Sequence, residues 1–330
     1  MQREFDFIAG IREAARRGAP DDHLILGIGD DTAVWRARRG YENLITTDLL
    51  VEDVDFKSEY AVAEWLGHKV LAVSLSDISA MGGRPRFSLL SLGIPRAYGE
   101  SFWARFFKGF FALADRYGVQ LIGGDTSASP DRLVLDSILI GECPSGHTVR
   151  RSGAVVGDEI YVTGTVGAAA VGLDRLSAGV RVIPGSDDLT QRALQRHLRP
   201  EPRVEFGQRL GECALAHAMI DISDGLAQDL SHICEDSGVS AEIRAAAVPV
   251  APETGLLSDD RRSGFEKAVN SGEEFELIFT AHPSSEGQLM TLARKCSVSL
   301  TAIGRVIARD DSGVYVIDPD GHGHRRPLTP

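Results

Sequence analysis

Several aspartates stand at the ends of apolar, strand-like runs, beside Gly, Ser or Thr. They are Asp30 and Asp31 in GIGDDTAV, Asp48 in ITTDLLVED, Asp125 in LIGGDTS, and Asp221 and Asp224 in MIDISDGL. Strand ends are where an α/β sheet presents its ligand site, so these carboxylates are candidates for one binding site. A further acid, Asp77, lies inside the apolar helical stretch VLAVSLSDISAMGG. An unpaired carboxylate is costly there, so Asp77 requires a cation or several hydrogen-bond donors.

These residue types favour a hard divalent cation. Oxygen ligands without histidine or thiolate suit Mg²⁺, which is usually held by a few carboxylates together with the oxygens of a phosphate substrate. The pattern therefore indicates phosphate chemistry in which metal ions bridge protein and nucleotide. The familiar nucleotide-binding motifs, GxxxxGKS/T, HRD with DFG, and GxGxxG followed by a distant acid, are absent from the sequence. An ATP site here must be of another kind.

Each acid also has a structural interpretation. Asp224 or Ser223 could cap the helix LAQDLSHICED, and Asp48 could simply end a strand. Asp77 could pair with Lys69, which lies two turns earlier on nearly the same helix face. Five such acid-bearing segments in Gly-flanked apolar contexts are harder to explain in this way than one.

The composition argues against two other classes of partner. The 330 residues are 43% hydrophobic and 25% charged, as is typical of a soluble globular chain. Lys+Arg 35 and Asp+Glu 47 give a net charge of −12, which should repel nucleic acid and anionic membranes. No apolar run approaches the roughly 18 residues that cross a bilayer, and the N-terminal stretch lacks the apolar region of a signal peptide. Four scattered cysteines without a CxxC pair fit a reducing cytoplasm.

The elements that must position these acids alternate between strands and helices. We predict strands at Asn43–Thr47, Arg86–Ile94 and Arg132–Gly141, and helices at Tyr60–Met81 and Ser101–Tyr117. A stretch rich in Gly, Ser and Pro follows Cys143, and a new strand-turn-helix pattern begins at Glu159. The sequence therefore predicts an α/β chain with an N-terminal domain, 1–145, and a C-terminal domain, 146–330.

Eight ordered motifs span about residues 27–280. They are GIGDDTAV, TTDLLVEDVDF, GHKVLAVSLSDISAMGG, LIGGDTS, RRSGAVVGDEIYVTG, RHLRPEPR, DISDGL and SGEEFELIFT. In this order they resemble thiamine-monophosphate kinase, a family of the ATP-binding aminoimidazole ribonucleotide synthetase superfamily. The resemblance implies a two-domain α/β (α+β) fold, with an N-terminal ATP/Mg-binding and dimerisation domain whose sheet pairs across a homodimer into a barrel. It also implies a cytoplasmic enzyme that phosphorylates thiamine monophosphate to thiamine diphosphate, with ATP as co-substrate and several Mg²⁺ ions.

The family's functional residues are carried over motif by motif. The implied metal ligands are Asp31, Thr46, Thr47, Asp48, Asp77, Asp125, Asp221 and Asp224. The implied ATP contacts are Gly124, Asp125, Arg151 and Ser223, and the implied substrate contacts are Asp55 and Glu273. The expected catalytic set is Asp48, Asp77, Asp125 and Arg151. Metal ions are needed because ATP and a phosphate monoester would otherwise be repelled by so many carboxylates.

The sequence departs from the family pattern on the acceptor side. The segment usually written LVEGVHF reads LVEDVDF, with Asp53 for the glycine and Asp55 for the histidine that commonly contacts substrate. Asp55 could pair with the cationic thiazolium or accept from the aminopyrimidine. The tail reads GHGHRRPLTP, without the family's aromatic residue.

Other interpretations remain open. A different ATP-dependent enzyme, of the aminoimidazole ribonucleotide synthetase type, is less consistent with DISDGL, SGEEFEL and RHLRPEPR. A non-catalytic ATP–Mg²⁺ binding protein is disfavoured because all the metal acids are retained. Gly164–Gly167 is either a phosphate-binding helix start or an ordinary strand-helix link. Arg199 and Arg203 either bind phosphate or form ion pairs, and Glu273 without the resemblance would be a surface acid.

Overall fold

The computed structural model describes residues 2–15, 21–257, 261–310, 313–317 and 325–328. The chain divides into two units, the first of residues 1–78 and 84–145 and the second of residues 79–83 and 146–330. Both units mix helices and strands, as the alternating sequence pattern predicts. Within the described ranges, no helix combines the length and apolar character that a membrane crossing requires. Most of the divergent tail GHGHRRPLTP lies outside the described residues.

The first unit is built around a four-stranded sheet in the order β3-β6-β4-β5. Its elements are α1 (Gln2–Ala15), β1 (Leu24–Leu26), β2 (Val34–Trp35), β3 (Tyr41–Val51), α2 (Ala63–Ala80), β4 (Arg84–Ile94), α3 (Glu100–Tyr117), β5 (Gln120–Ala128) and β6 (Val134–Pro144). Strands β3 and β4 run antiparallel to β6, and β5 is parallel to β4. The predicted helices and strands are all present. The β3 strand is longer than its apolar run because it pairs with β6 along its whole length.

The two faces of this sheet differ. On one face α2 packs against the strands, where the Ser74 hydroxyl lies 3.2 Å from the carbonyl oxygen of Ser137. Leu90 and Leu135 of this face are buried. On the opposite face Ile45 is 73% exposed and Leu49 is 56% exposed. We call these two surfaces the helix face and the open face.

Helices α2 and α3 pack in direct backbone contact at two glycines. A Cβ atom on Gly67 would lie 1.9 Å from the Phe106 carbonyl oxygen, and one on Gly109 would lie 1.7 Å from the Glu64 carbonyl oxygen. The aromatic residues of α3, including Trp103, are mostly buried around this crossing. The helical spacing of these residues is therefore a core-packing pattern, as the sequence indicates.

The second unit is built around a seven-stranded sheet in the order β13-β12-β9-β11-β7-β10-β8. Its elements are β7 (Glu159–Thr163), α4 (Ala168–Ser177), α5 (Leu189–Leu198), α6 (Val204–Glu212), β8 (Ala218–Asp221), α7 (Leu226–Ser237), β9 (Ser240–Arg244), α8 (Arg261–Asn270), β10 (Leu277–Ala281), α9 (Glu286–Lys295), β11 (Leu300–Ile307), β12 (Val314–Ile317) and β13 (Arg325–Pro327). Buried residues alternate along β7 between two cores, with Ile160 and Val162 in one and Tyr161 in the other. Both faces of this sheet therefore carry a buried core.

Candidate active site

The first group of candidate residues lies where β3 meets α2. Thr46 and Asp48 occupy alternate positions of β3, so both side chains point to the helix face. The Thr46 hydroxyl donates a hydrogen bond to Asp77 Oδ2. Asp48 accepts a hydrogen bond from Ser74, one turn before Asp77 on α2. Two strand residues and two helix residues therefore form one polar cluster beside the core.

Asp48 is held in an environment that disfavours its charge. Burial and the neighbouring carboxylates of Asp77 and Asp136 raise the pKa of Asp48 to about 6, against the opposing hydrogen bond from Ser74. Its Oδ2 atom is buried and receives no hydrogen bond from the described residues. A buried carboxylate oxygen without a donor, close to a second carboxylate, is a fitting ligand for a hard divalent cation.

The second group lies on the open face of the same sheet. Asp136 of β6 pairs with Ser91 of β4, and Ser91 pairs with Asp125 of β5. Residues paired directly across strands point to the same face, so the two aspartates flank Ser91. The Thr47 hydroxyl donates to Asp136 Oδ1 over 2.6 Å. Asp125 is exposed, and its Oδ1 accepts from the amide of Thr126 over 2.8 Å.

Gly124, before Asp125, is required by close packing of strands. Its φ of +153° lies in the region that favours glycine, and an added Cβ would lie 2.0 Å from the Leu90 carbonyl oxygen. The glycine thus sets the position of Asp125 on β5.

The expectation that the aspartates stand at strand ends is wrong for Asp48 and Asp125. Both lie inside strands, because the sheet pairing continues beyond the apolar runs visible in sequence. Asp221 does end its strand, β8, and Asp31 lies on the exposed loop between β1 and β2. Asp48 and Asp125 therefore lie on opposite faces of one sheet, within its two outer strands rather than at strand ends.

The segment that departs from the family pattern is fastened to the start of β6. Asp53 has a φ of +69°, a conformation that glycine adopts more easily, and its Oδ2 lies 2.9 Å from Arg132 Nε. The Asp55 Oδ2 atom accepts from the amide of Val51 over 2.8 Å. Glu52 Oε2 accepts from the amide of Leu133 over 2.9 Å. The two unusual aspartates thus help to fix the loop.

In the second unit the DISDG motif is organised by an acid from the following helix. Asp229 Oδ2 accepts from the amides of Ser223, Asp224 and Gly225, each over 3.1 Å. The interpretation of Asp224 or Ser223 as the helix cap is wrong, since the residue before α7 is Gly225 and no cap side chain bonds there. Burial raises the pKa of Asp229 to about 6. The Asp224 carboxylate is exposed and does not cap this helix.

Replacing Asp229 by alanine should destabilise the second unit by about 2 kcal/mol, because three amides lose a shared acceptor. Urea unfolding measures this free energy. Asp236→Ala, an exposed acid later on the same helix, is the matched control and should change stability far less. Equal stability of the two variants would contradict the capping role of Asp229.

The backbone of Glu273 lies beside the DISDG motif, and its side chain contacts His197. The Glu273 amide donates to the carbonyl of Ser223 over 2.8 Å, and its Oε2 lies 2.8 Å from His197 Nδ1. A Cβ on Gly272 would lie 2.1 Å from the same Ser223 carbonyl oxygen, so glycine permits this approach. Glu273 has a φ of +63° and is partly exposed. Such strained, partly exposed residues cluster at functional sites.

Glu274 occupies the N-terminus of α4. Its Oε1 accepts from the amides of Gly167 over 2.7 Å and Ala169 over 3.0 Å. The phosphate-binding interpretation of Gly164–Gly167 is therefore wrong for this structure, since the chain's own carboxylate satisfies these donors. Burial raises the pKa of Glu274 to about 7, although these amides and Arg196 oppose the shift.

Glu276 is the centre of a buried ionic cluster. Its carboxylate accepts from Arg203 Nε over 2.6 Å, from Arg196 Nη2 over 2.9 Å and from the Thr163 hydroxyl over 2.7 Å. Burial alone would raise the pKa of Glu276, but the two guanidinium groups outweigh it and hold that pKa below its usual value. The ion-pair interpretation of Arg203 is thus confirmed, whereas Arg199 is exposed.

The remaining candidates are spread over the second unit. Arg151 is exposed, and its carbonyl accepts from the Ser237 hydroxyl over 3.3 Å. Asp221 is buried at the end of β8. Across the described ranges, no three or more His, Cys, Asp or Glu side chains form a group that could hold a metal ion. The structure therefore brings candidate acids together in small sets rather than in one cluster.

Sequence reasoning missed the residues that support the candidates. They are Ser74, Asp136, Arg196, Asp229, Glu274 and Glu276. The two glutamates belong to the quoted motif SGEEFEL, and Asp136 is a polar position in the apolar run LVLDSILIG. A polar residue within an apolar run is thus a signal that could have identified Asp136 as it identifies Asp77.

Known proteins match both units of the chain. The family model of AIR synthase related protein, N-terminal domain, matches residues 29–143, and that of the C-terminal domain matches residues 155–317. The thiamine-monophosphate kinase of Bacillus subtilis (strain 168) is 36% identical over 332 residues, which covers 97% of this chain and 99% of the relative.

Solved structures show the same architecture. The crystal structure of thiamine-monophosphate kinase from Stenotrophomonas maltophilia K279a has a TM-score of 0.83 and 37% identity, and the match covers 97% of this chain and 96% of that one. AaThiL complexed with AMPPCP and TMP has a TM-score of 0.73 and 30% identity, with 95% and 93% covered. These matches confirm the mixed α/β, two-domain fold class.

Proposed function

This chain belongs to the thiamine-monophosphate kinase family of AIR synthase related proteins, and on that premise we propose that it phosphorylates thiamine monophosphate with ATP. The products are thiamine diphosphate and ADP. The observation that carries the proposal is the Asp48 carboxylate, which lies beside Asp77 with one buried oxygen that no described donor satisfies. The relative solved with AMPPCP, an ATP analogue, and TMP supports both substrates.

Several Mg²⁺ ions, when bound, supply charge neutralisation on the phosphates and a template for in-line transfer. The proposed oxygen ligands are Asp31, Thr46, Thr47, Asp48, Asp77 and Asp125 in the first unit and Asp221 and Asp224 in the second. The sparse grouping of the described acids suits Mg²⁺, which commonly keeps waters and substrate phosphate oxygens as its other ligands.

Other residues would bind and orient the two substrates. Gly124, Asp125, Arg151 and Ser223 are the proposed ATP contacts. The exposed guanidinium of Arg151 would offset negative charge on the transferred group. The acceptor phosphate has a second pKa of about 6 and is already ionised near neutral pH, so no side chain need act as a strong general base.

We propose that Asp55 and Glu273 contact thiamine monophosphate, the phosphate acceptor. Glu273 presents a partly exposed carboxylate in a strained backbone conformation, which suits a ligand contact. Asp55 already accepts from the amide of Val51, so its second oxygen would meet the cationic acceptor. The N-terminal domain predicted from sequence, 1–145, would serve ATP/Mg²⁺ binding and dimerisation, and 146–330 would form the C-terminal domain.

We also assign a homodimer and a cytoplasmic location to the chain. The open face of the first unit's sheet exposes Ile45 and Leu49 beside Ile138, an apolar surface that a second copy of the same face would cover. Pairing of the two sheets into a barrel accounts for this surface. Light scattering of the purified chain measures its oligomeric state.

A direct assay tests the activity. The chain is incubated with ATP, Mg²⁺ and thiamine monophosphate, and phosphorus NMR follows the diphosphate ester and ADP. Equal formation of both products supports the proposal. ATP binding without any diphosphate, across a range of Mg²⁺ concentrations, would contradict it and favour a non-catalytic ATP-binding protein.

A further inference from the structure

Thr47, a proposed metal ligand, forms a side-chain pair on the open face with Asp136. Asp136 is not among the residues carried over from the family. The Thr47 hydroxyl donates to Asp136 Oδ1 over 2.6 Å, across strands β3 and β6. Asp136 also stands in register with Ser91, whose other neighbour is Asp125. At roughly 4.8 Å between adjacent strands, Asp136 lies between Thr47 and Asp125 on one surface. The pair therefore lies on the same face as Asp125, another proposed metal ligand.

The chemistry of a threonine ligand gives this pair a role. A hydroxyl has one proton and two lone pairs, and a cation can be bound only by a lone pair. When the proton is donated to a fixed acceptor, the hydroxyl stops rotating and its free lone pairs point elsewhere. Thr46 has the same arrangement on the helix face, where its hydroxyl donates to Asp77. Each candidate threonine thus has its own carboxylate acceptor.

A purely structural role explains the charge of Asp136 poorly. Cross-strand polar pairs stabilise sheets, but a neutral asparagine or serine would accept the same hydrogen bond. The carboxylate instead adds a negative charge to the face that already carries the Asp125 carboxylate. An additional negative charge among acids is unfavourable unless a cation balances it.

We infer that Asp136 is a positioning residue that holds the proton of the Thr47 hydroxyl and so presents the Thr47 oxygen to a divalent cation. This inference rests on the proposed function, because that function makes Thr47 a metal ligand. It predicts that Asp136 acts through Thr47 and not by contacting the cation itself.

Mn²⁺ binding tests the inference without requiring catalysis. Free Mn²⁺ is measured by electron paramagnetic resonance with the full chain, first alone and then with AMPPCP. Asp136→Ala should weaken binding about 10-fold or more, as is usual when a residue that orients a ligand is removed. Thr47→Val should weaken it by at least as much. Adding Asp136→Ala to Thr47→Val should cause no further loss, because Asp136 acts only through Thr47.

Two further variants sharpen the result. Asp136→Asn keeps an acceptor for the hydroxyl and should retain more than half of the binding free energy that Asp136→Ala loses. Asp131→Asn, an exposed acid shortly before β6, makes the same charge change and should leave Mn²⁺ affinity unchanged. Unfolding curves recorded in parallel separate weaker binding from lower stability.

Three outcomes would overturn the inference. Asp136→Ala with wild-type affinity would make the pair a sheet contact only. If Asp136→Asn weakened Mn²⁺ binding as much as Asp136→Ala, and this loss added to that of Thr47→Val, the carboxylate itself would contact the cation. A wild-type chain that fails to bind Mn²⁺ in both conditions would remove the premise. If no kinase activity is found but the losses of Mn²⁺ affinity in Asp136→Ala and Thr47→Val are non-additive, only the proposed function is contradicted and the inference about Asp136 stands.

Discussion

Asp48→Asn should reduce phosphoryl transfer by about 100-fold or more while leaving the free energy of unfolding unchanged or slightly higher. The carboxylate is partly buried beside Asp77, with Oδ2 fully buried, so its charge opposes folding when no cation is bound. Asparagine has nearly the same shape and removes that repulsion. The same change removes a charged oxygen ligand from the proposed metal site. Activity and stability should therefore change in different directions.

The measurements are initial rates at saturating ATP and thiamine monophosphate, over a range of Mg²⁺, and urea unfolding without Mg²⁺. Asp115→Asn, an exposed acid near the end of α3, is the matched control and should keep wild-type rates. Equal activity of Asp48→Asn and wild type would remove Asp48 from the metal-binding set. A loss of activity that followed a loss of folding would instead assign Asp48 a structural role.

Local sequence pattern was sufficient to identify several residues and their elements. Asp77 is recognisable from sequence because a carboxylate in an apolar helix needs a donor or a cation, and the structure provides the Thr46 hydroxyl. The long helices α2 and α3 were predicted from periodicity because their buried faces repeat regularly. Such features depend on residues close together in the chain, which sequence shows directly.

Partners far apart in the chain could not be predicted in this way. Thr47 and Asp136 are separated by 89 positions, and Gly167 and Glu274 by 107. Their contacts depend on strand register and helix placement, which no single segment determines. Alternation along β3 does imply that Thr47 faces away from Thr46 and Asp48, but only the assembled sheet shows what lies on each side.

Glu276→Gln should destabilise the second unit by about 3 kcal/mol at pH 7, because removing one partner of a buried ionic cluster leaves its charges uncompensated. The Glu276 side chain is fully buried, whereas Arg196 and Arg203 are 22% and 19% exposed, so some solvent reaches the arginines. Their charges hold the pKa of Glu276 below its usual value. The stability that Glu276 contributes is therefore present above the ordinary glutamate pKa and lost in acid, as the pH falls through its lowered value. Urea unfolding at pH 7 measures the effect.

Glu274→Gln is the matched control, two positions away in the same cluster, and its pH dependence should have the opposite sign. Burial raises the pKa of Glu274 from 4.5 to about 7. The stability that Glu274 contributes is therefore complete below pH 4.5 and is lost as the pH rises toward 7 and above. Glutamine cannot ionise, so the stability of Glu274→Gln relative to wild type should increase between pH 5 and pH 8. A large loss of stability at pH 7 for Glu274→Gln, or no loss for Glu276→Gln, would show that Glu274 rather than Glu276 carries the negative charge of the cluster.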